Sequence, residues 1–342
     1  MYQSMSDTLQ FNNGQGTEPA DRNFRRPTLA VTVVSSNEAL LIPCLDTLLQ
    51  YRPAEDTCDF NIYVVWNGPA RGLAPLSPEL VKRYPGVRMY ESSVSGFPPN
   101  QNLLLGRITA DYYLVINDDM LFLAGSLDKP LAYMQRPEVS RVGMLTIRLL
   151  NRDGSLQPST YNFAGLFRTI LAVSGLRGLI PMNAAMVRFA KLLGLGNGKS
   201  RYWEHDKTVE IDSCRGAYML VRHQALQEAG LWDVKGGEET EWHMRFHQHG
   251  WKIVFYHEAE VVHLGSMTIS QDPESELLNL QSFLNIYDKH HAGWRYWLIR
   301  FCFLVTYVLK WIAGMVSGTK NHRKLSQKGV AMILRWHREG KT

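Results

Sequence analysis

From Thr28 onward the chain alternates β-rich apolar runs with stretches whose apolar residues recur at helical spacing. Leu29–Ser36, LAVTVVSS, reads as a buried strand. Leu40, Leu41, Cys44, Leu45 and Leu48 then follow a helical period. Next come FNIYVVWNG (strand), PELVKRY (short helix), VRMYESS (strand), NQNLLLGRI (helix) and YYLVIND (strand). This alternation predicts an α/β domain whose mostly parallel sheet carries helices on both faces. In such sheets ligands bind beyond the carboxyl ends of the strands. After Val142 the pattern loosens, and Ile170–Gly198, apolar and basic, supports no assignment. Residues 1–26 are polar and aperiodic, which predicts a disordered lead-in.

Tyr296–Gly318 is apolar over about the length of a membrane span. On a helical projection Phe301, Leu304, Val305, Val308, Leu309, Trp311, Ile312, Met315 and Val316 share one face. Arg300, Thr306, Tyr307, Lys310, Gly314 and Ser317 gather on the other. Two cations inside the span are costly at the bilayer centre, so the pattern predicts a helix lying in the membrane interface. A helix packed on the domain's flank is the alternative. Val330–Trp336 repeats the amphipathic theme.

Charge strengthens the interface reading. The formal net charge is +5, but from His291 to the end ten basic residues face one acid, Glu339, while the remainder is net acidic. A basic tail on such a body predicts contact with an anionic membrane surface. Nucleic acid is disfavoured, because the tail's apolar face is ill suited to tracking phosphates. The expected organisation is a lead-in over 1–26, a catalytic α/β domain over 27–290 and a membrane-associating tail over 291–342.

With 342 residues, 45% hydrophobic and 20% charged, the composition is ordinary for a globular chain. Cys44, Cys58, Cys214 and Cys302 are scattered without a CxxC pair, which predicts reduced thiols in a cytosolic setting and no zinc site. No basic start followed by an apolar segment opens the chain, so no secretory signal is expected. Gly194–Ser200, GLGNGKS, is one residue short of a P-loop, and no GxGxxG follows the first strand.

Three clusters remain as candidate chemistry. Asn117-Asp118-Asp119 ends a strand; it reads either as a turn and helix cap, or as a site for a divalent cation that carries a diphosphate. Glu238, Glu239 and Glu241 follow Gly236-Gly237; acids suit the first turn of a helix, and one in a cleft also suits a general base. His263 ends a strand-like run and reads as structural or as a metal ligand beside carboxylates.

In their order these pieces resemble the inverting family 2 glycosyltransferases with a GT-A type, Rossmann-like fold, and most of all their rhamnosyltransferase-like branch. The resemblance runs from about Thr28 to Ser270. It rests on Ser35-Ser36-Asn37 after the first strand, Gly96-Phe97 with Asn102, and Asn117-Asp118-Asp119. It continues through Asp212, Gly216-Ala217-Tyr218-Met219-Leu220-Val221-Arg222 and Trp232-Asp233. Glu238-Glu239-x-Glu241-Trp242-x-x-Arg245, Gly250-Trp251 and Val261-Val262-His263 with Gly265 and Ser266 complete it. Two departures stand out: Trp66 replaces the aspartate that in the family contacts the nucleobase, and Glu239 replaces the aspartate of the family's base motif.

The resemblance implies a nucleotide-diphospho-sugar donor, with Ser35, Asn37, Trp66, Asn102, Asn117, Asp118 and Gly216 along its binding site. It implies Mg²⁺ or Mn²⁺ held by Asp119 and His263, and Glu239 as the general base with Glu238 in reserve. Rhamnose is among the sugars it implies. The basic tail points to a saccharide or polyprenyl-diphosphate-linked acceptor at the inner face of the cell membrane, used in cell-envelope glycan synthesis. The rival reading is a non-catalytic nucleotide-sugar or membrane-binding protein that kept the fold.

Overall fold

The protein is described by a computed structural model over residues 26–163, 205–233, 238–265, 275–290, 293–316 and 320–335. The lead-in before Arg26, the Ile170–Gly198 stretch and the P-loop-like GLGNGKS lie outside the described residues. The described residues fall into two compact units: 26–161, 205–232 and 242–265 form one, and 162–163, 233, 238–241, 275–290, 293–316 and 320–335 the other.

In the first unit, β1 (Thr28–Ser35) leads into α1 (Glu38–Gln50), then β2 (Asp59–Trp66), α2 (Pro78–Arg83), β3 (Val87–Glu91), α3 (Phe97–Leu105) and β4 (Tyr112–Asn117). These match the strands and helices that the apolar pattern predicts. β5 (Met120–Phe122), α4 (Asp128–Met134), β6 (Val142–Leu150), β7 (Leu156–Gln157) and β8 (Thr160–Tyr161) follow. Then come β9 (Val209–Ile211), β10 (Ser213–Cys214), β11 (Tyr218–Arg222), α5 (His223–Ala229), α6 (Glu238–Gln248), of which Trp242 onward belongs to this unit, and β12 (Lys252–His263).

The main sheet runs β3-β2-β1-β4-β11-β6-β12-β5, with β7 on β6 and β9 on β12. It is mixed and mostly parallel. β1 pairs in parallel with β2 and β4, and β6 with β12, while β11 runs antiparallel between β4 and β6. Alternate residues of each strand serve alternate cores, as a sheet covered on both faces requires. Leu114, Ile116, Tyr218 and Leu220 meet Leu41, Leu45 and Leu48 of α1 on one face. Tyr113, Val115, Met219 and Val221 meet Ala225 of α5 and Trp242 and Phe246 of α6 on the other.

The second unit contains α7 (Ser275–His290), α8 (Trp294–Val316) and α9 (Lys320–Arg335). Leu277, Leu280, Leu284, Tyr296, Ile299, Phe303, Tyr307 and Ile333 form its core. α8 packs closely on α9 at Gly329, where a Cβ would lie 2.2 Å from the Tyr307 ring. Tyr307 and Gly314, which the projection assigns to the polar side of α8, are thus buried. The opposite, more apolar side is open: Trp294, Trp297, Phe301 and Leu309 are each about 60% exposed, and Val305, Ile312, Met315 and Val316 are exposed with them. The helix is apolar on two faces, and only one of them is covered within this unit.

Buried against β10, His243 of α6 is bonded through Nδ1 to Ser213 Oγ at 2.8 Å, with Cys214 Sγ 3.7 Å from Nε2. Burial pushes its pKa down to about 3, and the nearby His247 adds to the shift. The native state therefore refuses a proton that the unfolded chain accepts below about 6.5. This contribution to stability is complete above that pH and is lost as pH falls toward 3. Urea unfolding should show His243→Gln flattening the acid limb by up to ~1.4 kcal/mol per pH unit between about pH 6 and pH 4.

Candidate functional site

The parallel strands β1, β2 and β4 end in register, with Ser35 opposite Trp66 and Val34 opposite Asn117. At this edge the backbone turns through Asn117-Asp118-Asp119 and re-enters the sheet as β5. Buried beneath the turn, Cys44 of α1 directs its thiol at Asn117 O, 3.9 Å away. Burial and the Asp118 carboxylate push the Cys44 pKa upward, so this thiol stays protonated. On the far side Asn117 N–H donates to Ala217 O at 3.3 Å, which brings the buried Gly216-Ala217 turn alongside the cluster.

Asp118 accepts a hydrogen bond of 2.6 Å from Ser35 Oγ. Ser35 Oγ in turn accepts from Asn37 N–H at 3.2 Å, while Asn37 Oδ1 caps α1 through Ala39 N–H at 3.0 Å. The Asp118 pKa is pushed up to about 6, first by burial and then by the adjacent Asp119, against the lowering effect of Ser35. Two neighbouring carboxylates in a half-dry site disfavour each other's charge, and a cation relieves both.

Asp119 itself is buried. β12 returns antiparallel to β5 with His263 opposite Met120, and Leu264 N–H donates to Asp119 O at 3.0 Å. This places His263 Nε2 3.3 Å from Asp119 Oδ1, with Asn117 Nδ2 3.4 Å from the same nitrogen. Asp119 Oδ1 has no hydrogen-bond partner. A buried carboxylate oxygen left in this way is costly, so the pair fits a divalent ion. Among the described residues no third His, Cys, Asp or Glu joins them. Mixed carboxylate and imidazole donors suit Mn²⁺, and ions of this kind fill their remaining positions with phosphate oxygens and water.

Two residues expected along the donor site are occupied with structure instead. Trp66 is 3% exposed in the core, and its Nε1 donates to Ala74 O at 3.0 Å, so its ring is not free to stack on a base. Asn102 uses both ends of its amide on the Trp232 backbone: Nδ2 donates to Trp232 O at 2.8 Å, and Trp232 N–H donates to Oδ1 at 3.0 Å. Tertiary packing supplies the partners of both side chains.

The acidic cluster opens α6 as its spacing predicts. Glu239 is half-buried in the first turn, and the side chain of Glu238 lies outside the described residues. Glu241 is buried, with its Oε1 3.2 Å from His290 Nε2. Further along the helix, Trp242 Nε1 donates to Gly230 O at 2.8 Å, and Arg245 donates to Ala229 O and Leu231 O. These bonds anchor the helix from Trp242 onward.

Gln157 was not anticipated. Its Oε1 lies 2.6 Å from His263 Nδ1. The Asn151–Ser155 stretch, NRDGS, carries a hairpin signal that foretells β7, but nothing in it foretells the histidine.

The sequence profile described as "Glycosyltransferase like family 2" matches residues 27–296. The chain is 25% identical over 236 residues to N-acetylglucosaminyl-diphospho-decaprenol L-rhamnosyltransferase from Mycobacterium tuberculosis, an alignment covering 63% of this chain and 71% of that protein. Among solved structures it is similar to a mannosyltransferase from Pyrobaculum calidifontis in complex with GDP-Man and Mn²⁺, at TM-score 0.50 and 15% identity over 93% of this chain and 84% of that one. GalNAc-T7 with UDP, GalNAc and Mn²⁺ is similar at TM-score 0.50 and 11% identity, over 89% of this chain and 55% of the other. These likenesses show a GT-A-like α/β fold.

The reassignment of Asn102 has a direct check. Asn102→Ala leaves the Trp232 backbone unpaired and should lower the unfolding free energy in urea by about 1–3 kcal/mol. Unchanged stability would mean that the amide is spare for a ligand.

Proposed function

The chain belongs to glycosyltransferase family 2, and from that premise we propose that it moves a sugar from a nucleotide-diphospho-sugar to an acceptor hydroxyl with inversion at the anomeric carbon. The observation that carries this reading is the Asp119–His263 pair at the carboxyl edge of the sheet, with its unsatisfied carboxylate oxygen. Asp119 and His263 would hold Mn²⁺ or Mg²⁺, which when bound neutralises the departing diphosphate. Gly216, with no side chain, permits a close approach of the donor, and Asn117 and Asp118 offer it polar contacts. Glu239 is the general base for the acceptor hydroxyl: a carboxylate one methylene longer than aspartate performs the same proton transfer. Similarity to the mycobacterial rhamnosyltransferase supports rhamnose as the sugar and a polyprenyl-diphosphate-linked saccharide as the acceptor.

Trp66 favours a second reading, in which the protein binds a nucleotide-sugar without turning it over. The residue stands where the family's base-contacting aspartate is expected, and its side chain is committed to the core. Incubating the full chain with Mn²⁺ and a panel of nucleotide-diphospho-sugars separates the two. The catalytic reading expects a metal-dependent thermal shift with one donor, and slow hydrolysis or transfer of that donor. Glu239→Gln should keep the shift while turnover falls by about 10²–10⁴-fold. A fully active Glu239→Gln protein would remove this residue from the mechanism, and binding without turnover by the wild type would favour the second reading.

A membrane-borne acceptor accords with the open face of α8. Its exposed Trp294, Trp297, Phe301, Val305, Leu309 and Ile312 recur every three or four residues along the helix. Around them the cations dominate: Arg300 stacks over Trp297 at 5.2 Å, and Arg323, Lys324, Lys328 and Arg335 are exposed on α9. An apolar stripe with a cationic surround suits the interface of an anionic bilayer at the cytoplasmic side. By length and composition the helix also suffices to cross a membrane; the interface reading is favoured by Arg300 and Lys310 within it. In liposome flotation, the full chain should bind vesicles rich in phosphatidylglycerol, and Phe301→Glu with Leu309→Glu should abolish most of that binding. Undiminished flotation of the double variant would remove α8 from the contact.

A further inference from the structure

Gln157 sits on β7, which folds back along the end of β6 with Leu149 opposite Gln157. On the other edge of β6, Val261 of β12 pairs with the same Leu149. Gln157 is thereby set beside the end of β12, where His263 lies. A chain of polar groups starts in the preceding turn, and its direction follows from counting protons.

Asp153 Oδ1 accepts from Ser155 N–H at 2.9 Å and from the Ser155 hydroxyl at 2.6 Å. That hydroxyl has one proton and has spent it, so its oxygen accepts from Asn151 Nδ2 at 2.9 Å. The Asn151 amide is therefore oriented, and its Oδ1 accepts from Gln157 Nε2 at 3.0 Å. Gln157 Nε2 also faces the His263 carbonyl at 3.5 Å. The atom that Gln157 turns to the ring is then Oε1, an acceptor 2.6 Å from Nδ1. The short contact requires a proton on Nδ1. In the neutral ring Nε2 then keeps its lone pair, 3.3 Å from the unsatisfied Asp119 Oδ1 and 3.4 Å from Asn117 Nδ2, which can donate to it. A divalent cation is the ligand that the imidazole nitrogen and the carboxylate oxygen can share. Gly265, at φ +59°, keeps the space open: a Cβ there would come within 3.1 Å of Gln157 Nε2.

We propose that Gln157 is a positioning residue for the metal: by accepting the Nδ1 proton of His263 it holds the tautomer whose Nε2 binds a divalent cation together with Asp119. The proposal rests on the reading of Asp119 and His263 as the metal pair. Partners of this kind orient a ligand and raise its basicity without touching the ion. The Asp153–Ser155–Asn151 turn extends the same control by fixing which end of the Gln157 amide faces the ring.

Two measurements on the full chain test it. In the metal-free protein labelled with ¹⁵N-histidine, long-range ¹H–¹⁵N correlation should show His263 as the Nδ1–H tautomer, its signal identified by loss in His263→Asn. Gln157→Met, similar in shape but without the acceptor, should shift the ring to a tautomer mixture. Titration of free Mn²⁺ by electron paramagnetic resonance should show Gln157→Met binding about 10–100-fold more weakly than the wild type. Gln157→Glu can accept the same proton while Asn151 turns its amide to donate to the second carboxylate oxygen, and should stay within about 3-fold of it. Equal weakening of the Met and Glu variants would make Gln157 a mere support for the hairpin, and wild-type affinity in Gln157→Met would dismiss its role; either overturns the proposal. If Asp119→Asn leaves Mn²⁺ affinity unchanged, the metal reading itself fails, while the tautomer measurement still judges whether Gln157 governs the ring.

Discussion

The polar cluster at the carboxyl edge of the sheet depends on the pairing of β12 with β5. This pairing sets His263 opposite Met120 and bonds Leu264 N–H to Asp119 O, so a carboxylate and an imidazole that are remote in sequence share one buried spot. Either group alone would be expensive to bury, and together they leave an oxygen unsatisfied. The surrounding groups converge on this point. Ser35 holds Asp118, Ala217 holds the backbone of Asn117, and Gln157 holds the far side of the His263 ring. A buried polar cluster of this kind is tolerable when each member has a defined partner. The Asp119 Oδ1 atom is the member of the cluster that lacks one.

The apolar architecture makes that placement rigid. Each central strand sends alternate residues to two cores, so a register slip by a single residue would exchange the two sets of side chains and disturb both. Asp119 and His263 inherit their accuracy from this constraint, since each adjoins or ends a strand of the same sheet. The helical unit follows a different rule. Its α8 is apolar around most of its circumference, and one side suffices for packing on α7 and α9. Large side chains are left open on the second side: Trp297, Phe301 and Leu309 are each about 60% exposed.

Much of this was legible in the amino-acid order. β-branched runs such as Val31–Val34 and the helical recurrence of Leu41, Cys44, Leu45 and Leu48 are strong periodic signals, and they reappear as buried elements. Asn117-Asp118-Asp119 announced itself because paired carboxylates after a buried strand are uncommon without a reason. The bonds of Trp66 and Asn102 are not legible in the sequence, because a motif position reports where a residue lies along a strand or helix, and not what its side chain meets. The indole found Ala74 O and the amide found the Trp232 backbone, both in loops whose course no periodicity describes. Gln157 escaped notice for the same reason: a lone amide after a D-G turn has no pattern of its own.

Already present in the amino-acid order are the alternation of strands and helices, the ordered motifs of the family, and the charge contrast between body and tail. These depend on neighbours a few residues apart, and local spacing carries them. The tertiary structure decided which polar groups are spare and which are spent. It turned Tyr307 and Gly314 inward, left Phe301 and Leu309 open, committed Trp66 to the core, and pointed Gln157 at His263. Those outcomes depend on contacts between distant segments, where burial forces every donor and acceptor to find a partner. Only the folded chain brings those partners together.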